Sequence, residues 1–239
     1  MSRHIDISLP AATIDALKSV GSALYVLKAV KYGFKGVPFT PPSNAMLKKA
    51  ISPSTGGGAP VLVKVVTNYL ARTTVEWSQP VAAYVSQSPI TDQQLIRAPN
   101  PQPVELGQTV NVDPNGGLSV VAGGGEGAVA IANQGQTPWT CGLSQDFGAG
   151  PAPTCAFPLF GSGMDVLRPV DQALLMFATN LLPVGTIVST AYSAALLVDA
   201  AADDRAVSFD VNQGWSAGGA SWGRPVAAGT DIGPLLITT

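Results

Sequence analysis

The chain of 239 residues carries 13 Lys/Arg, 15 Asp/Glu and one histidine, so 12% of it is charged, about half the usual share for a soluble domain. With 46% hydrophobic residues it is too apolar to be disordered. Its one histidine, His4, excludes histidine-built zinc sites and any serine, cysteine or metal mechanism that needs a buried imidazole base.

Taken in chain order, residues 1–6 lack the uninterrupted apolar stretch of a signal peptide. The protein is expected to be secreted or released without a recognisable leader, with His4 in an N-terminal tail. In residues 11–31, Ile14, Leu17, Val20, Leu24 and Leu27 recur at three- to four-residue spacing, the pattern of an amphipathic helix. Residues 23–30 equally suit a half-buried strand, with Gly21 and Gly33 as turns, and both readings stay open. Residues 36–60 read as a loop containing Gly56-Gly57-Gly58, which lacks the Gly-Lys-Ser/Thr ending of a phosphate loop. The expected organisation is a basic N-terminal region with its Gly/Pro-rich loop over 1–60 and a β-sandwich over 61–239, or one continuous domain.

Strand signals follow at short intervals: residues 61–66, 73–77, 81–85, 104–112, 118–121 and 128–132. Asp113-Pro-Asn-Gly-Gly117 marks a strong turn. Many short strands with turns every 8–12 residues indicate an antiparallel sandwich or barrel. From Gln172 to Val198 runs a stretch of 27 residues without a charge, bracketed by Asp171 and Asp199. It is long enough to cross a bilayer as a helix, but Asn180, Pro183 and Gly185 interrupt it. It reads as two core strands, 173–179 and 186–192, with 193–199 continuing the second or forming a third; a membrane-inserting hairpin is the alternative. A strand over 206–211 and an edge strand over 232–237 complete the pattern.

Asp199, Asp203, Asp204 and Asp210 cluster around one turn and fit no EF-hand spacing, so a solvated turn is expected. No catalytic residue, metal or cofactor is expected. Cys141 and Cys155 flank a Gly/Pro-rich stretch. A disulfide would close a loop of about 15 residues, worth about 3 kcal/mol; two buried free thiols are equally consistent. Charge divides along the chain: residues 1–75 hold nine Lys/Arg and two acids, and no lysine follows Lys64. Such a split accompanies membrane contact, or the basic part packs against the acidic part of the same molecule. The absence of long Lys/Arg runs argues against nucleic acid.

Trp139, Trp215 and Trp222 lie among Gly, Pro and Ser, whereas Trp77 sits in an alternating strand. Tryptophans in such loops stack sugars, seat themselves at lipid headgroups or plug a sandwich core. With Tyr192 and Arg224 they are the candidate ligand- or membrane-binding residues.

Several blocks carry a resemblance. Val129-Ala-Ile-Ala-Asn133 followed by Thr137-Pro-Trp139-Thr140, then Leu167-Arg-Pro-Val-Asp-Gln-Ala-Leu-Leu-Met-Phe177, Val184-Gly-Thr-Ile-Val-Ser-Thr-Ala-Tyr192 and Ala206-Val-Ser-Phe-Asp-Val211 before Trp215 together resemble the actinoporin-like cytolysin and fungal fruit-body lectin superfold over residues 128–222. The resemblance implies a β-sandwich with an aromatic headgroup-binding loop, represented by Trp215 and Trp222, and a membrane-inserting N-terminal helix at residues 11–31. The expected function is non-enzymatic binding to a membrane lipid or cell-surface glycan, as a pore-forming toxin, with homo-oligomers a feature of that reading. The alternative is a soluble lectin-like module or self-assembling structural protein.

Overall fold

A computed structural model describes residues 2–33, 57–202 and 204–239; most of the 36–60 loop and Asp203 lie outside the described residues. The fold is all-β, a sandwich whose pairs are mainly antiparallel. The strands run in chain order as β1 (Ser2–Ser8), β2 (Ala23–Tyr32), β3 (Ala59–Pro60), β4 (Leu62–Val66), β5 (Arg72–Ser78), β6 (Val81–Ser86), β7 (Gln102–Val104), β8 (Gln108–Val112), β9 (Leu118–Ala122) and β10 (Val129–Asn133). They continue as β11 (Trp139–Asp146), β12 (Pro151–Pro153), β13 (Cys155–Leu159), β14 (Met164–Ala178), β15 (Ala195–Asp199), β16 (Arg205–Asp210), β17 (Gly214–Ser216), β18 (Gly223–Val226) and β19 (Ile237–Thr238). Two helices, α1 (Ala11–Ser19) and α2 (Gly233–Leu236), are described.

The spine of the molecule is the antiparallel pair β2–β14 in a nine-stranded sheet. Along its other edge, β14 pairs with β10 through residues 164–167 and with β15 through residues 172–176. The ladder shifts register between Pro169 and Ala173, where proline has no N–H to give and the chain bulges. β2 is flanked in turn by β4 and, in parallel, by β19. β8 and β10 also run parallel, as do β1 and β16.

Residues of β2 point alternately to the two faces. Leu24 and Val26 enter a core closed by the four-stranded sheet β17-β16-β1-β5, with Ile5, Ile7, Val75 and Trp77. Val30 enters a second core, closed by the six-stranded sheet of β3, β6, β7, β11, β12 and β13. On the opposite face Tyr25 and Leu27 pack under Val188, Ala191, Ile232 and Leu236. The strand is therefore buried on both faces rather than half-buried.

Several expectations change. His4 sits within β1, opposite Glu76, not in a tail. Residues 11–31 form neither one helix nor strands alone: α1 ends at Ser19 and β2 begins at Ala23. The helix stops in a Schellman turn, with Ser22 N–H donating to Leu17 C=O, Gly21 N–H donating to Lys18 C=O and Gly21 at φ +67°. Val104 to Val112 is split into β7 and β8 by the turn at Gly107. Residues 186–192 are not a strand; they touch the sheets through isolated bridges such as Val61–Ile187, and β15 supplies the partner of β14 instead. Residues 232–237 are mostly α2, followed by the short β19. β1 and β2 belong to the same sheets as the later strands, so the N-terminal segment is interleaved with the sandwich.

Candidate functional site

Two separate regions hold the expected aromatic residues. The first is the end of the nine-stranded sheet where β14 finishes. Ala178 there pairs with Ala23 and Leu24 with Val66, so the loops 20–22, 67–71 and 179–194 leave from one end. Phe209 lines the same cleft as Ser22 and Asn180, which brings the β16–β17 loop 211–213 beside them. None of these four loops contains a charged residue. Each presents an apolar side chain to solvent: Val20 is 60% exposed, Leu70 69%, Leu181 66% and Val211 43%.

Hydrogen bonds tie this end down from beneath. Tyr25 donates its hydroxyl to Asn180 C=O and accepts from Leu182 N–H at 2.6 Å. Ser193 donates to Phe177 C=O at 2.6 Å, and Tyr69 to Ser22 C=O at 3.1 Å. Between them lies a cleft of about 280 Å³ lined by Leu17, Phe177, Asn180, Tyr192 and Phe209 among others. Trp215 closes its flank: the indole stacks on Phe177 at 5.6 Å, packs on Phe209 at 4.9 Å, and donates its N–H to Ala194 C=O at 3.1 Å. Trp215 is thus part plug and part half-exposed rim. Burial, with Asp92 nearby, pushes the Tyr192 hydroxyl above its ordinary value, so it stays neutral.

Trp222 and Arg224 stand toward the other end of β15. The Trp222 ring lies 5.0 Å from the Arg205 guanidinium, and exposed Arg224 pairs opposite Leu197. The structure therefore joins Tyr192 with Trp215, sets Trp222 and Arg224 apart from them, and puts Trp139 elsewhere altogether.

Trp139 lines the second region, an open cleft of about 740 Å³. Its walls are the end of β6, the segment 87–102 and the β8–β9 turn. Asp113 shapes that turn by accepting from the N–H groups of Asn115 and Gly117 at 2.7 and 2.9 Å. Gly116, at φ +86°, lies so close over the indole that a Cβ there would stand 2.8 Å from the ring. The Trp139 N–H is covered by protein and has no acceptor among the described residues; an unmade bond of this kind costs about 1–3 kcal/mol.

Cys141 and Cys155 are free, buried thiols. Cys141 pairs with Phe157, so Cys155 is its diagonal neighbour; diagonal positions lie about 7–8 Å apart, beyond the usual Cα span of a disulfide. Burial foremost, and Asp165 beside Cys141, raise both thiol pKa values, that of Cys155 to about 11. The acidic turn is used structurally: Asp199 accepts from Ala201 N–H, Asp204 pairs with His4 at 3.1 Å, and Asp210 accepts from the Asn212 and Gln213 N–H groups. Among the described residues no group of three His, Cys, Asp or Glu is arranged to hold a metal. No described helix is long and apolar enough to cross a membrane. The helix expected over 11–31 as a membrane-inserting element is in fact a nine-residue helix followed by the central strand β2.

Sequence reasoning missed Leu70, Leu181, Phe177 and Phe209 at the uncharged end, and Arg97, Asn100 and Asn115 in the open cleft. The run 172–198 carried a signal for the first group, because it includes the whole of loop 179–194. No family model, no curated protein and no solved structure matches the chain.

Proposed function

We propose that the protein is a non-enzymatic surface-binding protein that docks on lipid through the uncharged end of its nine-stranded sheet. One observation carries the reading: four loops leave that end without a single charged side chain and hold apolar tips in solvent. Exposed apolar patches of this kind mark protein or membrane contact sites, and half-buried Tyr and Trp at the edge suit the boundary between hydrocarbon and water. Charge in this position would cost desolvation on docking, and these loops have none to desolvate.

The test is co-sedimentation with phosphatidylcholine liposomes. Burying one Leu is worth about 1.5–3 kcal/mol, so Leu181→Asp is expected to lower the partition coefficient at least tenfold, as is Leu70→Asp, while Arg224→Ala changes it less than threefold. A wild-type protein that stays in the supernatant overturns the reading. Release of trapped dye by the bound protein, together with a shift from monomer to oligomer, extends it to a pore-forming toxin; bound protein without release restricts it to surface attachment.

A further inference from the structure

The open cleft around Trp139 lies at the opposite end of β14 from the uncharged loops. Met164, where β14 starts, pairs with Ala132, and β8 runs parallel to β10 so that the 113–117 turn emerges beside it. Among the described residues the cleft shares no lining with the uncharged end. Its lining is a specific chemical set. Gln87, Asn100, Gln102 and Asn115 contribute neutral amides, and Trp139 contributes a half-buried aromatic surface fixed in place by Gly116. Asn100 holds a left-handed backbone at φ +52°, a conformation that asparagine tolerates better than most residues. Among the described lining residues Arg97 is the one charged group, and no carboxylate is present.

That set excludes some ligands and selects others. With no acid among the described lining residues, the cleft offers neither a general acid for glycosidic cleavage nor a carboxylate to hold calcium. An amide carries both donors and an acceptor and so matches hydroxyl groups. An indole offers a flat apolar surface to the C–H face of a sugar ring. A guanidinium takes a carboxylate in a bidentate pair. We infer that this cleft is a binding site for an oligosaccharide bearing a carboxylated sugar, one ring packed against the part of Trp139 that opens to the cleft, hydroxyls on the Asn and Gln amides and the carboxylate on Arg97. The site is independent of the lipid-docking end.

A printed panel of sialylated, uronate-containing and neutral oligosaccharides, followed by titration calorimetry with the strongest hit, tests it. Wild-type protein is expected to hold carboxylated glycans at least tenfold more tightly than their neutral counterparts. Arg97→Ala should bring that preference to within about twofold. Asn115→Ala should weaken binding at least fivefold, and Trp139→Phe should do the same while preserving most of the packing. Arg97 and Asn115 are exposed, so their variants keep the fold, which circular dichroism verifies. Leu181→Asp should bind glycan as wild type does, and this separates failure here from failure of the lipid reading. Three results overturn the inference: no carboxylated glycan held by folded wild-type protein, a preference for neutral sugars, or glycan binding unaltered in both Arg97→Ala and Asn115→Ala.

Discussion

Lys28 lies on one face of β2 between the two cores that close over that face. Its ammonium donates to Val170 C=O, a carbonyl released by the bulge in β14, stands 3.4 Å from the Asp171 carboxylate and lies 4.7 Å from the centre of the Trp77 ring. Burial pulls its pKa down from 10.5 to about 8, against the attraction of Asp171. Burial alone would raise the Asp171 carboxyl, but Lys28 and the N–H donors of Trp77 and Gln79 outweigh it and hold that group low. Between pH 8 and 10.5 the unfolded chain binds the Lys28 proton and the folded one does not, so this residue makes stability rise with pH across that window. The full gap corresponds to about 3 kcal/mol. The two cysteines act in the opposite sense above pH 9, so the informative quantity is the difference between wild type and Lys28→Met. In urea unfolding, wild type should gain up to about 3 kcal/mol on the variant from pH 8 to 10.5, and a gain below about 0.5 kcal/mol contradicts the account. Asp171 works at the other extreme: its contribution is present above pH 3.8 and is lost as pH falls below that value.

The Cys141 and Cys155 side chains are fully buried and both thiols are held protonated. Iodoacetamide at pH 8 should leave both unmodified in native protein and alkylate both in denaturant. Native alkylation within tenfold of the denatured rate would show that the two strands open readily.

Among the elements, β5 was plain in the sequence because it is buried on one face only: Thr73, Val75 and Trp77 point inward and their neighbours outward. β2 was ambiguous because it is buried on both faces, and a doubly buried strand loses the alternation that separates it from a helix. The division at Gly21 is the physical resolution of that ambiguity. Nothing lies within 4 Å of a Cβ built on Gly21, so Gly21→Ala meets no clash and pays only for its left-handed backbone, about 1–2 kcal/mol. Denaturant midpoints should register that loss. Residues 186–192 misled for a different reason. Ile187, Val188 and Thr190 are β-branched, but they cover the face of a sheet instead of extending one, and composition does not separate a cover from a strand.

For the whole molecule, part of the division of charge is met internally among the described residues, although Arg72 pairs within the basic part itself. Lys28 and Arg3 meet Asp171, His4 meets Asp204, and Arg72 pairs with Asp6. The aromatic rim at Trp215 was legible because tryptophan stands out among glycines. The clefts were not, because their walls come from segments far apart in sequence: α1, the end of β14 and β16 at one, and the end of β6, the segment 87–102, the β8–β9 turn and β11 at the other. Arg97 and Asn115 carry no local mark of being neighbours.

The spine has one more property. β14 is 15 residues long, roughly 45–50 Å at ordinary strand rise, and joins the end with the uncharged loops to the end with the Trp139 cleft, with β2 antiparallel along much of it. Backbone hydrogen bonds in such a pair stand perpendicular to the strands. Tension applied between the two ends therefore loads the ladder in shear, with many bonds resisting together, whereas a hairpin pulled from one end opens a bond at a time. If both ends were tethered as proposed, the β2–β14 ladder would bear the pull in shear.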